Sequence, residues 1–228
     1  LILRLEYTNI YASFLQRVVM ENTTDMGSVS GVILAGGRSK RLDGRNKALL
    51  SVGTDNNLER LIELFRTIFA ETILVTNDPA AYVAYDLQIA TDLLPVRSSL
   101  TGIHAGLFYA ANPYVFVAAC DLPFLKKRVV EKIMSYRTTG SWAIMPETKG
   151  GLEPTCALYA TKSVPLIEHQ LKRGDFKIRH VFKNKLLFTI PKSVLQKIDP
   201  ELISFFNINT PEDLEAAQRW QITTRADG

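Results

Sequence analysis

Two short stretches of this 228-residue chain carry residue types whose spacing could do chemistry. The first is Gly36-Gly37-Arg38-Ser39-Lys40-Arg41-Leu42-Asp43-Gly44-Arg45-Asn46-Lys47. Adjacent glycines let the backbone approach a ligand and turn amides toward it, and Arg38, Lys40, Arg41, Arg45 and Lys47 surround that space with positive charge. Polyphosphate binding is the chemistry this suits; a solvated basic loop is the alternative. Neither common phosphate loop fits, because the glycines are adjacent rather than spaced as G-x-G-x-x-G, and no G-x-x-x-x-G-K-[ST] occurs. The second stretch is Asp121, which follows the apolar run Tyr114 to Cys120. An ionised carboxylate there must be solvated, paired or metal-bound, since an apolar surround opposes ionisation. Beside a triphosphate, one carboxylate with phosphate oxygens and water is the usual way Mg²⁺ is held. Without a metal, Asp121 would cap the turn it forms with Leu122-Pro123. Asp92 ends a shorter apolar segment and reads as a ribose contact, a metal contact or a structural acid.

Such residues act only if strands and helices bring them together. Val29 to Ala35 and Tyr114 to Cys120 are continuous apolar runs, the pattern of strands buried on both faces of a parallel sheet. Thr72 to Thr76, ended by Asn77-Asp78-Pro79, and Leu87 to Ala90 read as further strands, as do Ser141 to Met145 and Pro154 to Ala160. Leu58 to Phe69 is amphipathic, with Leu61, Leu64, Phe65 and Ile68 on one face. Gly102 to Ala111, Lys126 to Arg137 and Ser163 to Lys172 are the next helices, the last with Pro165 in its first turn. Thr210-Pro211-Glu212-Asp213 is a helix start, with a threonine cap and proline at the first helical position. Strand–helix alternation predicts a three-layer α/β/α domain with a Rossmann-like, mostly parallel sheet. Ligands in such sheets bind beyond the carboxyl ends of the strands, at the point where strand order reverses. That rule selects the glycine-rich loop and Asp121.

Composition narrows the classes. Hydrophobic residues make up 46% and charged residues 22%, which excludes a disordered chain. No apolar run approaches the roughly 18 residues of a membrane span. Twenty-seven basic against 23 acidic residues leave a net charge of +4, suited to a small polyanion. Without an aromatic-basic surface motif, a nucleic-acid partner is not expected. Cys120 and Cys156 form no metal-binding or redox spacing, and a reducing cytoplasm is the expected compartment. Residues 27–221 read as one domain, 1–26 as an extension of uncertain order and 222–228 as a disordered tail. Charge within Leu1 to Glu6 argues against a signal peptide. Two readings stand for the extension: a short helix over Ile10 to Met20, or upstream sequence ahead of a start at Met26.

Leu34-Ala-Gly-Gly-Arg-Ser-Lys-Arg-Leu-Asp-Gly-Arg-Asn-Lys47 resembles the L-A-G-G-x-S-x-R-M-G-x-x-D-K signature of molybdenum cofactor guanylyltransferases, within the wider nucleotidyltransferase family. The resemblance continues through Asp92, the loop Ser98-Ser-Leu-Thr-Gly102, Cys120-Asp-Leu-Pro-Phe124, Glu153-Pro-Thr155 and Asn207-Ile-Asn-Thr-Pro-Glu-Asp-Leu214, covering roughly residues 29 to 220 in order.

The resemblance implies a nucleotide-diphospho-sugar transferase type of fold. The implied reaction moves GMP from GTP to the terminal phosphate of molybdopterin or its molybdenum-loaded form, releasing pyrophosphate. It implies nucleotide binding by Leu34, Ala35, Gly36, Gly37 and Lys47, joined by Asn77, Asp92 and Asp121. Mg²⁺ is expected on Asp121, with Lys47, Arg41 and Asp121 as the catalytic set. Asn207 and Asn209 match a segment near the reacting phosphates, and Lys177 and Arg179 are further candidates for the second substrate; a solvated helix face is the other reading for that pair. Cofactor-biosynthesis proteins or acceptor molybdoenzymes are conceivable protein partners. His104, His169 and His180 are expected to be structural or surface residues, and Lys126-Lys127-Arg128 is expected on the surface. Three departures stand out. Asn46 replaces aspartate before the lysine, Asp43 replaces glycine, and Ser98-Ser99 replaces the Gly-Pro that opens the loop near the base. These departures keep two rivals open: a cytidylyl- or sugar-phosphate nucleotidyltransferase, and a weakly catalytic nucleotide or cofactor carrier.

Overall fold

A computed structural model describes residues 29–36, 51–52, 55–182 and 186–226. The expected helix at Ile10 to Met20 and the loop from Gly37 to Lys47, with Arg41, Asp43 and Asn46, lie outside them. In chain order the structure has β1 (Val29–Leu34), β2 (Ser51–Val52), β3 (Asp55–Asn56), α1 (Asn57–Arg66), β4 (Thr72–Val75) and β5 (Gln88–Ala90). Next come α2 (Ser99–Tyr109), β6 (Tyr114–Ala119), α3 (Lys127–Met134), β7 (Ala143–Thr148), β8 (Gly151–Leu152) and β9 (Cys156–Ala160). The chain continues through α4 (Val164–Lys172), α5 (Ile178–Val181), β10 (Leu187–Ile190), α6 (Lys192–Leu195) and α7 (Pro211–Ala226).

The main sheet runs β10-β7-β9-β6-β1-β4-β5, with β8 paired to β7. β5, β4, β1 and β6 are mutually parallel, β9 is antiparallel to β6 and β7, and β10 is again parallel to β7. The expected α/β class and parallel core are therefore present within a mixed sheet. Alternation along the strands sorts the side chains into two layers. Ile33, Leu74, Phe116 and Leu158 face one core with Leu58, Leu61, Phe65, Val129 and Ile133 of α1 and α3. Val32, Ile73, Val75, Val117 and Tyr159 face the other with Ile103, Leu107, Ile167 and Leu171 of α2 and α4. Close approach needs glycine at Gly31, where a Cβ would stand 2.6 Å from ring carbons of both Phe65 and Phe69. The same holds at Gly106, whose Cβ would stand 2.6 Å from Val32 Cγ1.

Three expectations are corrected. Helix α2 begins at Ser99, not Gly102, because the Ser98 side chain caps it by accepting from Thr101 N at 3.1 Å. The segment Ser98 to Gly102 is thus a cap and first turn rather than a loop. Lys126 is not a plain surface residue; its Nζ lies 2.6 Å from the buried carboxylate of Asp199. Finally, α7 extends to Ala226, across most of the segment expected to be disordered, because no glycine or proline interrupts it before Gly228.

Candidate active site

The chain crosses from β1 through β4 to β5 and then returns to the other side of β1 as β6, so strand order reverses between β1 and β6. The carboxyl ends of these two strands are level, with Leu34 paired to Ala119. Just beyond the pairing, Cys120 N donates to Leu34 O at 3.1 Å. Asp121 is the next residue, at the reversal point and half-buried. On the other side of β1, Ala35 N donates to Val75 O at 2.9 Å, and Thr76 N to Ala90 O at 2.9 Å. These bonds carry the ladder one residue past the strands and align the four strand ends on one edge.

Gly36, Asn77, Asp92 and Asp121 all lie on that edge. Gly36 is exposed, and among the described residues a Cβ there would find its nearest neighbour at 4.0 Å, the Nδ2 of Asn77. Packing among the described residues therefore does not require glycine at this position. The preceding carbonyl, that of Ala35, accepts from the buried Tyr82 hydroxyl at 3.3 Å and lies 3.4 Å from Thr76 Oγ1. Asn77 Nδ2 in turn donates to Asp92 Oδ2 at 2.7 Å. Desolvation raises the Asp92 pKa above the ordinary carboxylate value, against the opposing pull of the Asn77 hydrogen bond and the Arg97 charge. A half-desolvated acid with an amide on one oxygen is suited to accept a hydrogen bond from a polar ligand group. The first turn of α2 abuts the same edge, where a Cβ on Gly102 would stand 3.3 Å from Leu34 Cδ2.

The segment before α7 reaches the edge from the other direction. Ile208 N donates to Asp121 O at 3.1 Å, which brings the segment of Asn207 and Asn209 up to Asp121. Asp213 Oδ2 accepts from Asn209 N at 2.8 Å and Thr210 N at 2.9 Å, while Thr210 Oγ1 accepts from Asp213 N at 3.2 Å. This reciprocal cap fixes the start of α7. Lys177, just before α5, and Arg179, on it, are exposed in the α2–α4 layer, and the Lys177 amide donates to Asp175 Oδ1 at 3.1 Å. Of the sequence-selected residues, Leu34, Ala35, Gly36, Asn77, Asp92, Asp121, Asn207 and Asn209 thus share the carboxyl edge of the sheet. Gly37, Arg41 and Lys47 lie outside the described residues.

The histidines stand apart from it. His104 is fully buried in α2, and His180 Nδ1 pairs with Asp175 Oδ2 at 2.8 Å. Among the described residues, no group of three or more His, Cys, Asp or Glu could cage a metal. The donor set at Asp121 instead fits a cation that takes one protein carboxylate and fills its shell with phosphate oxygens and water, as Mg²⁺ does. Sequence reasoning did not find the Lys126–Asp199 pair or the Ser98 cap. The serine before an apolar run was a readable sign of the cap; no sequence signal joins Lys126 to Asp199.

Residues 31–189 match the MobA-like NTP transferase domain. Over 193 residues the chain is 39% identical to the molybdenum cofactor guanylyltransferase of Desulfosudis oleivorans, covering 85% of this chain and 96% of that protein. The crystal structure of molybdopterin-guanine dinucleotide biosynthesis protein A from Archaeoglobus fulgidus superposes with a TM-score of 0.75 at 30% identity, covering 85% of this chain and 99% of that one. The 4-diphosphocytidyl-2C-methyl-D-erythritol synthase of Anaerococcus prevotii shares the fold, with a TM-score of 0.62 at 16% identity over 85% of this chain and 96% of that one. With its aligned strand ends and its match along most of the chain, this protein belongs to the molybdenum cofactor guanylyltransferase family of MobA-like nucleotidyltransferases.

Proposed function

We propose that this chain transfers GMP from GTP to the terminal phosphate of molybdopterin or its molybdenum-loaded form. The observation that carries this reading is the shared edge: an exposed Gly36, the Asn77–Asp92 pair beside it, and Asp121 at the reversal point. An oxygen of the acceptor phosphate attacks the α-phosphorus of GTP. One P–O bond forms, the bond to the bridging α–β oxygen breaks, and pyrophosphate leaves with that electron pair. A phosphate monoester with a second pKa of about 6 is already anionic near neutral pH, so no general base is required. This agrees with the burial of His104 within α2.

The work left to the protein is placement and neutralisation of charge. The Leu34–Gly36 backbone, Asn77 and Asp92 hold the nucleotide, and Asn207 and Asn209 face the acceptor side. Lys47 and Arg41, in the stretch that follows Gly36 in the sequence, supply positive charge to the phosphates. Asp121 would hold Mg²⁺, which when bound offsets charge on the departing pyrophosphate. The buried thiol of Cys156 fits a reducing cytoplasm.

Thermal unfolding with GTP, CTP, ATP and UTP tests the nucleotide assignment. A ligand at 100 times its Kd adds about 2.7 kcal/mol, which at roughly 2–4 °C per kcal/mol is a rise of several degrees for a chain of this size. A rise confined to GTP and larger with Mg²⁺ is the expected result. A larger rise with CTP or UTP would move the chain to a sibling specificity, and no rise with any nucleotide would favour a cofactor carrier.

A further inference from the structure

Asp199 is fully buried and both of its carboxylate oxygens are engaged. Oδ1 accepts from Lys126 Nζ at 2.6 Å, and Oδ2 accepts from Ser204 N at 2.9 Å. A third bond closes the set, from Lys126 N to Ser204 Oγ at 3.3 Å. Burial opposes charge on Asp199, yet the Lys126 and Ser204 hydrogen bonds outweigh it and hold the carboxyl below the ordinary carboxylate range. The turn that carries these groups is itself unusual. Leu202 sits at φ +57°, a conformation unfavourable for a branched side chain, and its N–H donates to Asp199 O at 2.9 Å.

The place of this clip in the chain gives it a consequence. Lys126 is the residue before α3, five positions after Asp121, and Ser204 is three positions before Asn207. Between them Ile208 bonds to the carbonyl of Asp121, and its side chain is buried with Phe124, Ile203 and Ala217. The loop that carries Asn207 and Asn209 is therefore held at three points: upstream to the residue before α3 by the clip, at its centre to Asp121 by the Ile208 bond, and downstream to the start of α7 by the Asp213 cap. An apolar pair could fill the position of Lys126 and Asp199 at equal or better stability. An ion pair with defined hydrogen bonds instead fixes one register between the two segments.

We infer that Lys126 and Asp199 are positioning residues, whose part-buried pair sets Asn207 and Asn209 against Asp121 for the transfer step. This deepens the proposed guanylyl transfer and, for its kinetic consequence, rests on it. Neither residue touches substrate in this reading; they act through the Ile208–Asp121 bond.

The test uses the full chain and three variants. Asp199→Asn keeps an acceptor for Ser204 N but removes the charge. The double variant Lys126→Met/Asp199→Asn removes both charges and leaves no ion stranded, so it serves if the single variant fails to fold. Lys126→Arg keeps the pair. Amide hydrogen exchange at Ile208 is expected to quicken at least tenfold in the first two variants and to stay near wild type in Lys126→Arg, with β1 and β4 amides unchanged in all three. In parallel, kcat for GMP transfer should fall at least tenfold in the double variant while KM for GTP stays within twofold. Wild-type exchange at Ile208 in the folded double variant would overturn the inference, as would wild-type kcat beside faster exchange. A wild-type chain that transfers no GMP would overturn the proposed reaction instead, and the exchange data would still decide whether the pair holds the loop.

Discussion

At the scale of single residues, Gly36 separates the demands of folding from those of binding. Among the described residues a Cβ there would meet nothing closer than 4.0 Å, so these residues leave room for a side chain that a bound phosphate would not. Gly36→Val should therefore melt within a degree or two of wild type while losing at least tenfold in GTP affinity, about 1.4 kcal/mol or more. Equal losses in both would show that the glycine serves packing. Gly36, Asp92 and Asp121 were legible in the sequence because each follows an apolar run that must be a strand, and the carboxyl-end rule does the rest. Asn207 and Asn209 were legible only through the family resemblance. The Lys126–Asp199 pair was not legible at all: 73 residues separate the partners, and a lysine in a run of three basic residues reads as solvent-exposed.

At the scale of elements, hydrophobic patterning gave the parallel quartet and its covering helices to within a few residues. It did not give direction. The buried strand β9 carries the same apolar run whichever way it points, so its antiparallel pairing with β6 and β7 depends on contacts outside its own sequence. The short strands β2, β3 and β8 have too few residues for any period to show. Where an element was predicted, its packing has a sharp requirement that can be tested. Phe65 and Phe69 pack edge to face with centroids 4.9 Å apart, and both rings lie 6.0 Å from that of Phe116. Hemmed in this way, they cannot yield to a methyl group at Gly31. Gly31→Ala should cost about 1–3 kcal/mol as overpacking, read as a lower denaturation midpoint with an unchanged slope. An unchanged midpoint would mean that α1 shifts freely over β1.

At the scale of the whole molecule, stability and activity should respond to pH in separate ways. His104 on α2 is sealed against α4; among the described residues neither ring nitrogen is hydrogen-bonded, and Nε2 lies 3.9 Å from Glu168 Oε2. Desolvation lowers its pKa from 6.5 to about 4, against the pull of Glu168 and helped by the charge of Lys172. The unfolded chain then binds this proton before the folded one does. Stability is full above about pH 6.5 and declines as the pH falls toward 4, by on the order of 3 kcal/mol. Melting temperatures measured across that window should fall in the wild type and fall less in His104→Leu; equal slopes would remove His104 as the cause. Asp199, with its carboxyl held low, contributes stability above the ordinary carboxylate range that is lost only in stronger acid.

Pyrophosphate release, followed with purified chain, GTP and molybdopterin, tests the transfer itself most directly. The account predicts release that requires both substrates and Mg²⁺, exceeds that with CTP, and falls about 10²–10³-fold in a folded Asp121→Ala variant. Absence of release with GTP, a preference for CTP, or an Asp121→Ala rate within tenfold of wild type would contradict it.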